Sequence, residues 1–317
     1  MFKSSIVQYG QSGRDKRYGS NTYRGNTDGT IVKDFLDFCE MKFKRPVKTC
    51  SDYMVGSGTT KDVCLERGIE GVWTDLRYGF NVMKEDCEIP DRPEAIFWHP
   101  PYSSMIGIPY AGKEWDDKEF IKKYGYDPKP YDLGRMDWDT FVKALNYCML
   151  KMYSALESGG RMGVLMGDIR RNGVYKSMLL DIAKPGEVDA LIIKNQCNTM
   201  SGSKVYSNKN FVPIDQEYFL ILKKAAAYIL DFTYAKKVQL DIRDSKDATW
   251  KDIVLSVLET IGKEAPLQAI YAELEGRKKC DSNPNWKAKV RQTLQVLRDA
   301  GFAKTSAVGT WAAAYRN

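Results

Sequence analysis

Apolar residues recur at helical and at strand spacing along the chain, and the two patterns alternate up to Lys224. Helical spacing predicts helices over Thr30–Phe43, Asp62–Gly68, Asp139–Leu156 and Val174–Ile182. Short apolar runs predict buried strands over Val47–Val55, Gly71–Asp75, Ala95–Trp98, Met162–Met166, Ala190–Ile193 and Glu217–Lys223. This alternation is typical of an α/β, Rossmann-like domain that is doubly wound around a mostly parallel sheet.

A different pattern fills the C-terminal part. Trp250–Ile261, Leu267–Leu274 and Asn285–Ala300 have helical spacing, and Phe302–Ala314 fits a hairpin, which together predict a small winged helix-turn-helix domain. We therefore predict an N-terminal arm over residues 1–23, an α/β domain over 24–224, a linker over 225–248 and a winged-helix domain over 249–317. The arm has no periodicity, so it is expected to be a disordered tail.

A glycine-rich turn joins the first predicted strand to a helix. Gly56-Ser57-Gly58-Thr59-Thr60 brings backbone N–H groups and a helix N-terminus where a cofactor can approach closely. It is not a phosphate-binding loop, because no Gly-Lys-Ser/Thr follows. Asp75 ends the next strand, where a carboxylate can accept hydrogen bonds from ribose hydroxyls. Asp86, on the following loop, is a candidate contact for an adenine ring or an ordinary solvated aspartate.

The strand Ala95–Trp98 ends in His99-Pro100-Pro101-Tyr102. His99 is the single histidine, so a Ser-His-Asp triad or a histidine-rich zinc site would have to use it. The two prolines lack N–H donors, which leaves nearby carbonyl groups unpaired and fixed in direction. Such a carbonyl, the His99 side chain and the flat Tyr102 ring suit an amino group on a planar base. A proline-rich turn with a satisfied histidine is the alternative.

Two longer loops separate these elements. Ser103–Arg135 has no clear period and is interpreted as a lid or a substrate-facing insertion. Asn195–Asn210 is rich in Asn, Ser and Lys and includes Lys204 and Tyr206, which are candidates for contact with a nucleic acid. A flexible hairpin is the alternative for this second loop.

Composition limits the class of protein. The 317 residues, 43% hydrophobic and 28% charged, suit one large or two ordinary globular domains. Since no apolar stretch approaches the length of a membrane span and no signal peptide is apparent, a cytoplasmic, nucleoid-associated protein without membrane contact is expected. The seven cysteines form no C-x-x-C pair, which argues against a disulfide framework or a zinc knuckle, and no metal is expected.

The net charge of +7 is concentrated near the C-terminus. Arg277–Lys304 carries eight basic residues against two acidic ones, as expected for a face that binds phosphates. An ordinary solvated helix face is the alternative. On the predicted third helix of the winged-helix domain, five side chains are candidates for DNA contact: Lys287, Lys289, Arg291, Gln292 and Gln295. The Lys and Arg side chains would contact phosphates, and the two glutamines are candidates for direct base contacts.

The motifs resemble those of the S-adenosylmethionine-dependent DNA amino-methyltransferases. Gly56–Thr60 is similar to their cofactor motif, and His99–Tyr102 is similar to their catalytic Asp/Asn/Ser-Pro-Pro-Tyr tetrapeptide. The likeness runs from Arg24 to Lys224, and a cofactor motif ahead of a catalytic motif looks most like the gamma order. Further similar segments are Arg24-Gly25-Asn26, Gly159-Gly160, Gly167-Asp168 and Gln216-Glu217-Tyr218. The C-terminal unit resembles winged-helix domains of restriction-modification proteins.

This resemblance implies S-adenosylmethionine as cofactor and double-stranded DNA as partner. It implies cofactor contacts by Asn26, Asp52, Gly56, Ser57, Gly58, Thr59, Thr60, Asp75 and Asp86, and catalytic roles for His99, Pro100, Pro101 and Tyr102. Asp52-Tyr53 stands where the family often has Asp-Pro. A homodimer or a cognate restriction endonuclease is an open possibility among partners.

His99 departs from the family, in which Asp or Asn is typical for adenine N6 and Ser for cytosine N4. Adenine N6 is the favoured target, and cytosine N4 is the alternative. The rival classes are a catalytically silent DNA-binding subunit and a methyltransferase whose substrate is RNA or protein glutamine. The resemblance implies that the Pro100 carbonyl and His99 hold the amine of a flipped base while Tyr102 stacks on it. Activity should then fall as the pH drops through the imidazole pKa, about 6.5 when unperturbed.

Overall fold

The chain forms two compact units, Met1–Ala235 and Lys236–Asn317. The structure is a computed structural model, and it describes residues 1–9, 15–20, 22–23, 25–106, 118–196, 212–224, 232–233, 243 and 248–314. The boundary between the units lies inside the predicted linker, residues 225–248. Lys204 and Tyr206 lie outside the described residues.

The N-terminal unit alternates helices and strands. Its helices are α1 Gly29–Phe43, α2 Thr59–Glu66, α3 Lys118–Tyr124, α4 Trp138–Ala155 and α5 Met178–Asp181. Its strands are β1 Ile6–Gln8, β2 Cys50–Ser51, β3 Ala95–Trp98, β4 Arg161–Arg171, β5 Val174–Ser177, β6 Lys184–Pro185, β7 Glu187–Asn195, β8 Gln216–Lys223 and β9 Phe232–Thr233. Short 3-10 helices cover Leu76–Tyr78, Ser104–Ile106, Lys129–Tyr131 and Leu133–Arg135.

The main sheet has the strand order β1-β7-β8-β4-β3-β2, with β5 paired to β4 outside this path. Strands β2, β3 and β4 run parallel, and β8 lies antiparallel between β4 and β7. Beyond β2, only isolated bridges from Thr49 to Glu70 and from Asp52 to Trp73 extend the sheet within the described ranges. The strand predicted over Gly71–Asp75 is therefore reduced to single paired residues, because an edge this short forms no continuous ladder.

Helices cover both faces of this sheet at β3, because this strand is apolar on both sides. All four residues of β3 are buried. Ala95 and Phe97 pack in one core cluster with the side chains of α1, whereas Ile96 and Trp98 pack in another with those of α4. The alternation follows from the two-residue period of a strand, and it confirms the doubly wound α/β architecture.

The N-terminal arm is ordered where it is described, which corrects the expected disordered tail. Strand β1 pairs in parallel with β7 and so forms an edge of the sheet. The Phe2 ring packs against Phe219 at 5.9 Å, and the terminal ammonium lies 2.6 Å from both Asp34 and Asp37. A strand of three residues is too short to show a period in the sequence.

The helix predicted over Val174–Ile182 is also wrong for its first half. Asn172 and Gly173 have φ values of +51° and +78°, so they form the tight turn that Asn-Gly favours between antiparallel strands. Strand β5 accordingly folds back on β4, and only the single turn α5 is helical. The turn chemistry outweighs the helical spacing here.

The C-terminal unit has the predicted winged-helix topology. Its elements are α6 Trp250–Ile261, β10 Ala265–Pro266, α7 Leu267–Leu274, α8 Lys278–Asp281, α9 Trp286–Asp299, β11 Ala303–Ala307 and β12 Thr310–Ala313. The three strands form an antiparallel sheet in the order β10-β12-β11. Thr249 and Asp252 form a capping box at the start of α6. The helices enclose a core of their own that includes Val254, Leu274 and Leu294.

Among the helices of the described residues, none combines the length and the apolar character that a membrane crossing requires.

Candidate active site

A cleft opens at the carboxyl end of the parallel strands, where the glycine-rich turn leads from β2 into α2. Gly56 and Gly58 have φ values of +52° and +95°, in the left-handed region that side chains other than glycine rarely adopt. Gly58 caps the N-terminus of α2 without a side-chain hydrogen bond. The first N–H groups of a helix have no partner inside it, so this end suits a polar or anionic ligand group.

Asp75 fixes the turn from the neighbouring edge of the sheet. One of its carboxylate oxygens accepts the Gly56 N–H at 3.0 Å, and the other accepts the Arg77 N–H at 3.1 Å. Each oxygen keeps a further lone pair, because a carboxylate oxygen can accept two hydrogen bonds. Asp75 lines the cleft, so its carboxylate can still accept hydroxyl groups of a ligand.

Asn26 ties the segment before α1 to the glycine turn. Its carbonyl oxygen accepts the Ser57 hydroxyl at 2.6 Å and the Thr59 hydroxyl at 2.7 Å. These bonds hold both hydroxyl groups at the wall of the cleft, where all three residues lie. The sequence predicts all three as cofactor contacts, and the geometry shows what connects them.

Asp52 is a buried acid at the base of the cleft, with only 3% of its surface exposed. Its two oxygens accept the Met54 N–H at 3.0 Å and the Thr60 hydroxyl at 2.7 Å. Burial raises the pKa of Asp52 to about 7, with a further rise from Asp75, while the two hydrogen bonds act in the opposite direction. Asp52 therefore changes charge near neutral pH.

The cleft encloses about 1020 Å³, including the space open to solvent at its mouth. Most of the predicted site residues line it: Asn26, Asp52, Gly56, Ser57, Thr59, Thr60, Asp75, His99, Pro100 and Pro101. Gly58 and Tyr102 are not in this lining, and neither is Asp86, whose side chain is exposed. Asp86 is therefore not placed as predicted, because the chain meets the cleft earlier in the loop, at Asn81–Met83.

The lining also includes residues that the sequence reasoning missed, among them Thr27, Asn81 and Tyr131. Asn81 is 5% exposed, and its carbonyl oxygen accepts the Met83 N–H at 3.0 Å. Its Nδ2 has no hydrogen-bond partner among the described residues. Nothing in the sequence distinguishes this asparagine from other polar loop residues. Tyr131 belongs to the segment interpreted as a lid, whose C-terminal part does face the cleft.

His99 stands at the end of β3 with its imidazole held on one side. Its Nδ1 is hydrogen-bonded to the Thr27 hydroxyl, and its Nε2 lies 3.9 Å from a carboxylate oxygen of Glu217. Burial lowers the pKa of His99 to about 4; Glu217 acts to raise it and Lys194 to lower it. This value lies below the unperturbed 6.5 on which the expected pH dependence was based, and the imidazole is neutral at physiological pH.

Tyr102 lies behind the proline wall rather than on it. Its ring is 9% exposed, and its hydroxyl donates to Glu217 at 3.0 Å. A Cβ at Gly167 would lie 2.7 Å from that hydroxyl oxygen, so β4 needs glycine at this position for Tyr102 to fit. The stacking of Tyr102 on a base stays a prediction, and Tyr131 is a half-buried aromatic side chain in the cleft lining.

The exposed face of α9 in the C-terminal unit carries the predicted DNA contacts. Its core-facing residues are Val290, Thr293, Leu294 and Leu297, and the five predicted residues, Lys287, Lys289, Arg291, Gln292 and Gln295, are all exposed. Gln292 and Gln295 lie near the middle of this face at helical spacing, with cations towards its borders. Two of the cations have local partners, because Arg291 donates to the Tyr271 hydroxyl at 3.0 Å and Lys289 to Gln292 at 2.9 Å.

Comparison with known proteins gives a match for the C-terminal unit. Residues 246–312 match the family described as the Dam-replacing HTH domain. No curated protein matches the chain.

Solved structures similar to the chain are methyltransferases of low identity. TrmN from Thermus thermophilus is 12% identical over 64% of this chain and 51% of its own length, with a TM-score of 0.32. TTHA0409, a candidate DNA modification methylase from Thermus thermophilus complexed with S-adenosyl-L-methionine, is 14% identical over 61% and 59%, with a TM-score of 0.27. An rRNA methylase from Streptococcus thermophilus is 14% identical over 63% and 98%, with a TM-score of 0.28. The chain thus spans between half and three fifths of the first two proteins.

Because these TM-scores are low, the fold assignment rests on the strand order. Parallel strands β2, β3 and β4, a glycine turn after β2 and one antiparallel strand, β8, inserted beside β4 define a Rossmann-like α/β fold. The second unit is a winged helix that matches the Dam-replacing HTH domain.

Proposed function

We propose that the chain is a DNA methyltransferase that transfers a methyl group from S-adenosylmethionine to the exocyclic amino group of a flipped base, with adenine N6 favoured. One observation carries this proposal. The glycine turn with Asp75 and the wall His99-Pro100-Pro101 line the same cleft, so a cofactor and an amine can meet there.

The residues of the cleft fit the cofactor. Gly56 and Gly58 leave room for close approach, the Asp75 carboxylate can accept ribose hydroxyls, and the unpaired amide of Asn81 can donate to a ring nitrogen. When bound, S-adenosylmethionine supplies an electrophilic methyl group. The chain itself supplies a shaped cleft with oriented donors and acceptors at either end.

The wall of the cleft holds the amine. The lone pair of the amine nitrogen is delocalised into the base, so this nitrogen is a weak nucleophile until acceptors hold its hydrogens. The Pro100 carbonyl, which the proline rings hold in one direction, is one acceptor, and Nε2 of neutral His99 is the other. With its hydrogens held there, the amine nitrogen would turn its lone pair towards the electrophilic methyl group that bound S-adenosylmethionine would supply, and the proton that the amine loses would pass to water. Positioning supplies most of the gain in rate.

The winged-helix unit supplies the DNA contact. Its exposed α9 face combines cations for phosphates with glutamines that can read base edges. The basic winged helix favours DNA over RNA or a protein glutamine as substrate, because the recognition helix of such a domain fits the major groove of DNA. The choice of adenine rests on His99, which offers a nitrogen acceptor where the family has Asp or Asn for adenine. Cytosine N4 is the alternative.

The test is direct. Plasmid DNA is incubated with the protein and labelled S-adenosylmethionine, and the nucleosides are then identified by mass spectrometry. We expect label in N6-methyladenine, loss of label with Pro101→Ala, and full labelling with Pro46→Ala, a matched control because Pro46 is exposed at the end of α1. Label in N4-methylcytosine would show that the target base is cytosine and not adenine. Intact cofactor and DNA binding without any label would instead show a silent DNA-binding subunit.

A further inference from the structure

A buried ion pair lies behind the amine-holding wall, at residues that the sequence reasoning did not assign to the site. The Lys194 ammonium is 2.6 Å from a carboxylate oxygen of Glu217. The two side chains are 12% and 9% exposed. Burial alone would raise the pKa of Glu217, but Lys194 and His99 lower it to about 2, so Glu217 is charged at neutral pH.

The second oxygen of Glu217 faces the catalytic motif. It accepts the Tyr102 hydroxyl at 3.0 Å and lies 3.9 Å from Nε2 of His99. One carboxylate therefore connects Lys194 on β7 with both ends of the segment His99–Tyr102. The ring edges confirm the proximity, because the His99 and Tyr102 centroids are 6.0 Å apart at 74°.

The strand register explains why these groups meet. Glu217 of β8 pairs with Gly167 of β4 on one side and with Lys194 of β7 on the other. The three strands thus place Gly167, Glu217 and Lys194 side by side, towards the end of the sheet where the cleft opens. Since Gly167 has no side chain, the Tyr102 ring occupies that space and reaches Glu217.

Stability alone does not account for such a pair. The attraction between buried charges is largely offset by the loss of their hydration, and apolar residues of similar size often serve a core as well or better. What the pair does provide is a carboxylate fixed in position beside two catalytic-motif side chains.

Building on the proposed function, we propose that Lys194 and Glu217 are positioning residues for methyl transfer: Glu217 fixes the Tyr102 ring, and Lys194 keeps Nε2 of His99 available as an acceptor beside that carboxylate. Glu217 attracts a proton to Nε2, and Lys194 offsets that attraction. The Nδ1 hydrogen is then donated to the Thr27 hydroxyl, and Nε2 keeps its lone pair for the amine.

The groups that act on His99 make the test specific. Among the described residues, the charged side chains that shift its pKa are Glu217, which raises it, and Lys194, which lowers it. Tyr102 and Thr27 contact the site without a charge at neutral pH. Glu217→Gln should therefore lower the pKa of His99, and Lys194→Met should raise it. Opposite shifts would show that both charges act on the imidazole, and the kinetic measurement then tests whether this action serves methyl transfer.

The measurement uses the only histidine in the chain. Nitrogen-15 NMR of labelled His99 reports its tautomer and its pKa in the full-length protein without any need for activity. We expect the Nδ1–H tautomer in the wild type, opposite pKa shifts in the two variants, and a shift towards Nε2–H in Lys194→Met. In the methylation assay, both variants should lower kcat about ten- to hundredfold with little change in KM for S-adenosylmethionine.

Asp189→Asn is the matched control. Asp189 also lies on β7, is 10% exposed and pairs with Arg161 at 2.8 Å, but near the opposite end of the strand, about 16 Å from Lys194. It should leave the His99 titration and kcat unchanged. An Nε2–H tautomer in the wild type, or shifts in the same direction in both variants, would overturn the positioning role. A wild-type protein that binds cofactor and DNA but methylates no DNA would overturn the proposed function instead.

Discussion

Acidification should destabilise the N-terminal unit through His99. Burial lowers the pKa of this imidazole from 6.5 to about 4. Below pH 6.5 the unfolded chain therefore binds a proton that the folded chain does not bind until about pH 4. The stability linked to His99 falls as the pH drops through this window and is constant outside it. At about pH 5 the loss amounts to about 2 kcal/mol.

Asp52 gives the opposite dependence and has to be separated from His99. Burial raises its pKa from 3.8 to about 7, so the folded chain binds a proton that the unfolded chain does not bind until about pH 3.8. Acidification through pH 7 consequently stabilises the fold at Asp52 while it destabilises the fold at His99. The Glu217 window runs from pH 4.5 down to about 2, because its pKa is lowered from 4.5 to about 2, and it overlaps only the lower end of the other two windows. Measurements at about pH 5 and above therefore contain little contribution from Glu217.

The difference between wild type and His99→Gln isolates the imidazole, because glutamine does not titrate. Thermal and urea unfolding are measured between about pH 7.5 and pH 5, and the transition of the N-terminal unit is identified as the one that S-adenosylmethionine raises. We expect the stability of the wild type relative to the variant to fall by about 2 kcal/mol across this range. A difference that stays constant would refute the inference that burial keeps His99 neutral.

Three further predictions concern the cofactor, the core and DNA. Asn81→Asp keeps the oxygen that accepts from Met83 but removes the free amide donor, so calorimetry should show about tenfold weaker S-adenosylmethionine binding; unchanged affinity would contradict the contact. Gly163→Ala places a Cβ 2.3 Å from the Phe219 ring and should destabilise the core by about 1–3 kcal/mol, which an unchanged Tm would disprove. Lys287→Ala and Arg291→Ala should each remove one phosphate contact. In fluorescence anisotropy, the slope of log affinity for DNA against log salt concentration should then become shallower by about 1, whereas cofactor binding, the control, should not change.

The elements with many apolar residues could be predicted from the sequence. Helices α1 and α4 and strands β4 and β8 each repeat their pattern often enough to be recognised. The short edge strand β1 could not, because three residues show no period and its pairing partner comes much later in the chain. Strand β5 was obscured by its apolar spacing, which resembles a helix until the Asn172-Gly173 turn is considered.

The candidate site likewise has one part that the sequence predicts and another part that it does not. The glycine turn and His99–Tyr102 are contiguous motifs, and such motifs are visible in a sequence. Tyr102 and Glu217 are 115 residues apart, so their contact depends on the register of β4, β8 and β7, which no local pattern specifies. Thr27 and Asn81 are single polar residues in loops and become significant only through what they face.

The self-contained core of the winged-helix unit has a consequence for how such proteins diversify. Every residue of that core, from Ala248 to Ala313, belongs to the unit itself. A module that buries its own apolar surface can be transferred to another chain without redesign of either core. Under the proposed function, DNA target and chemistry can thus change independently: exchange of this module would redirect an unchanged N-terminal unit, and substitutions on the α9 surface alone would change the target.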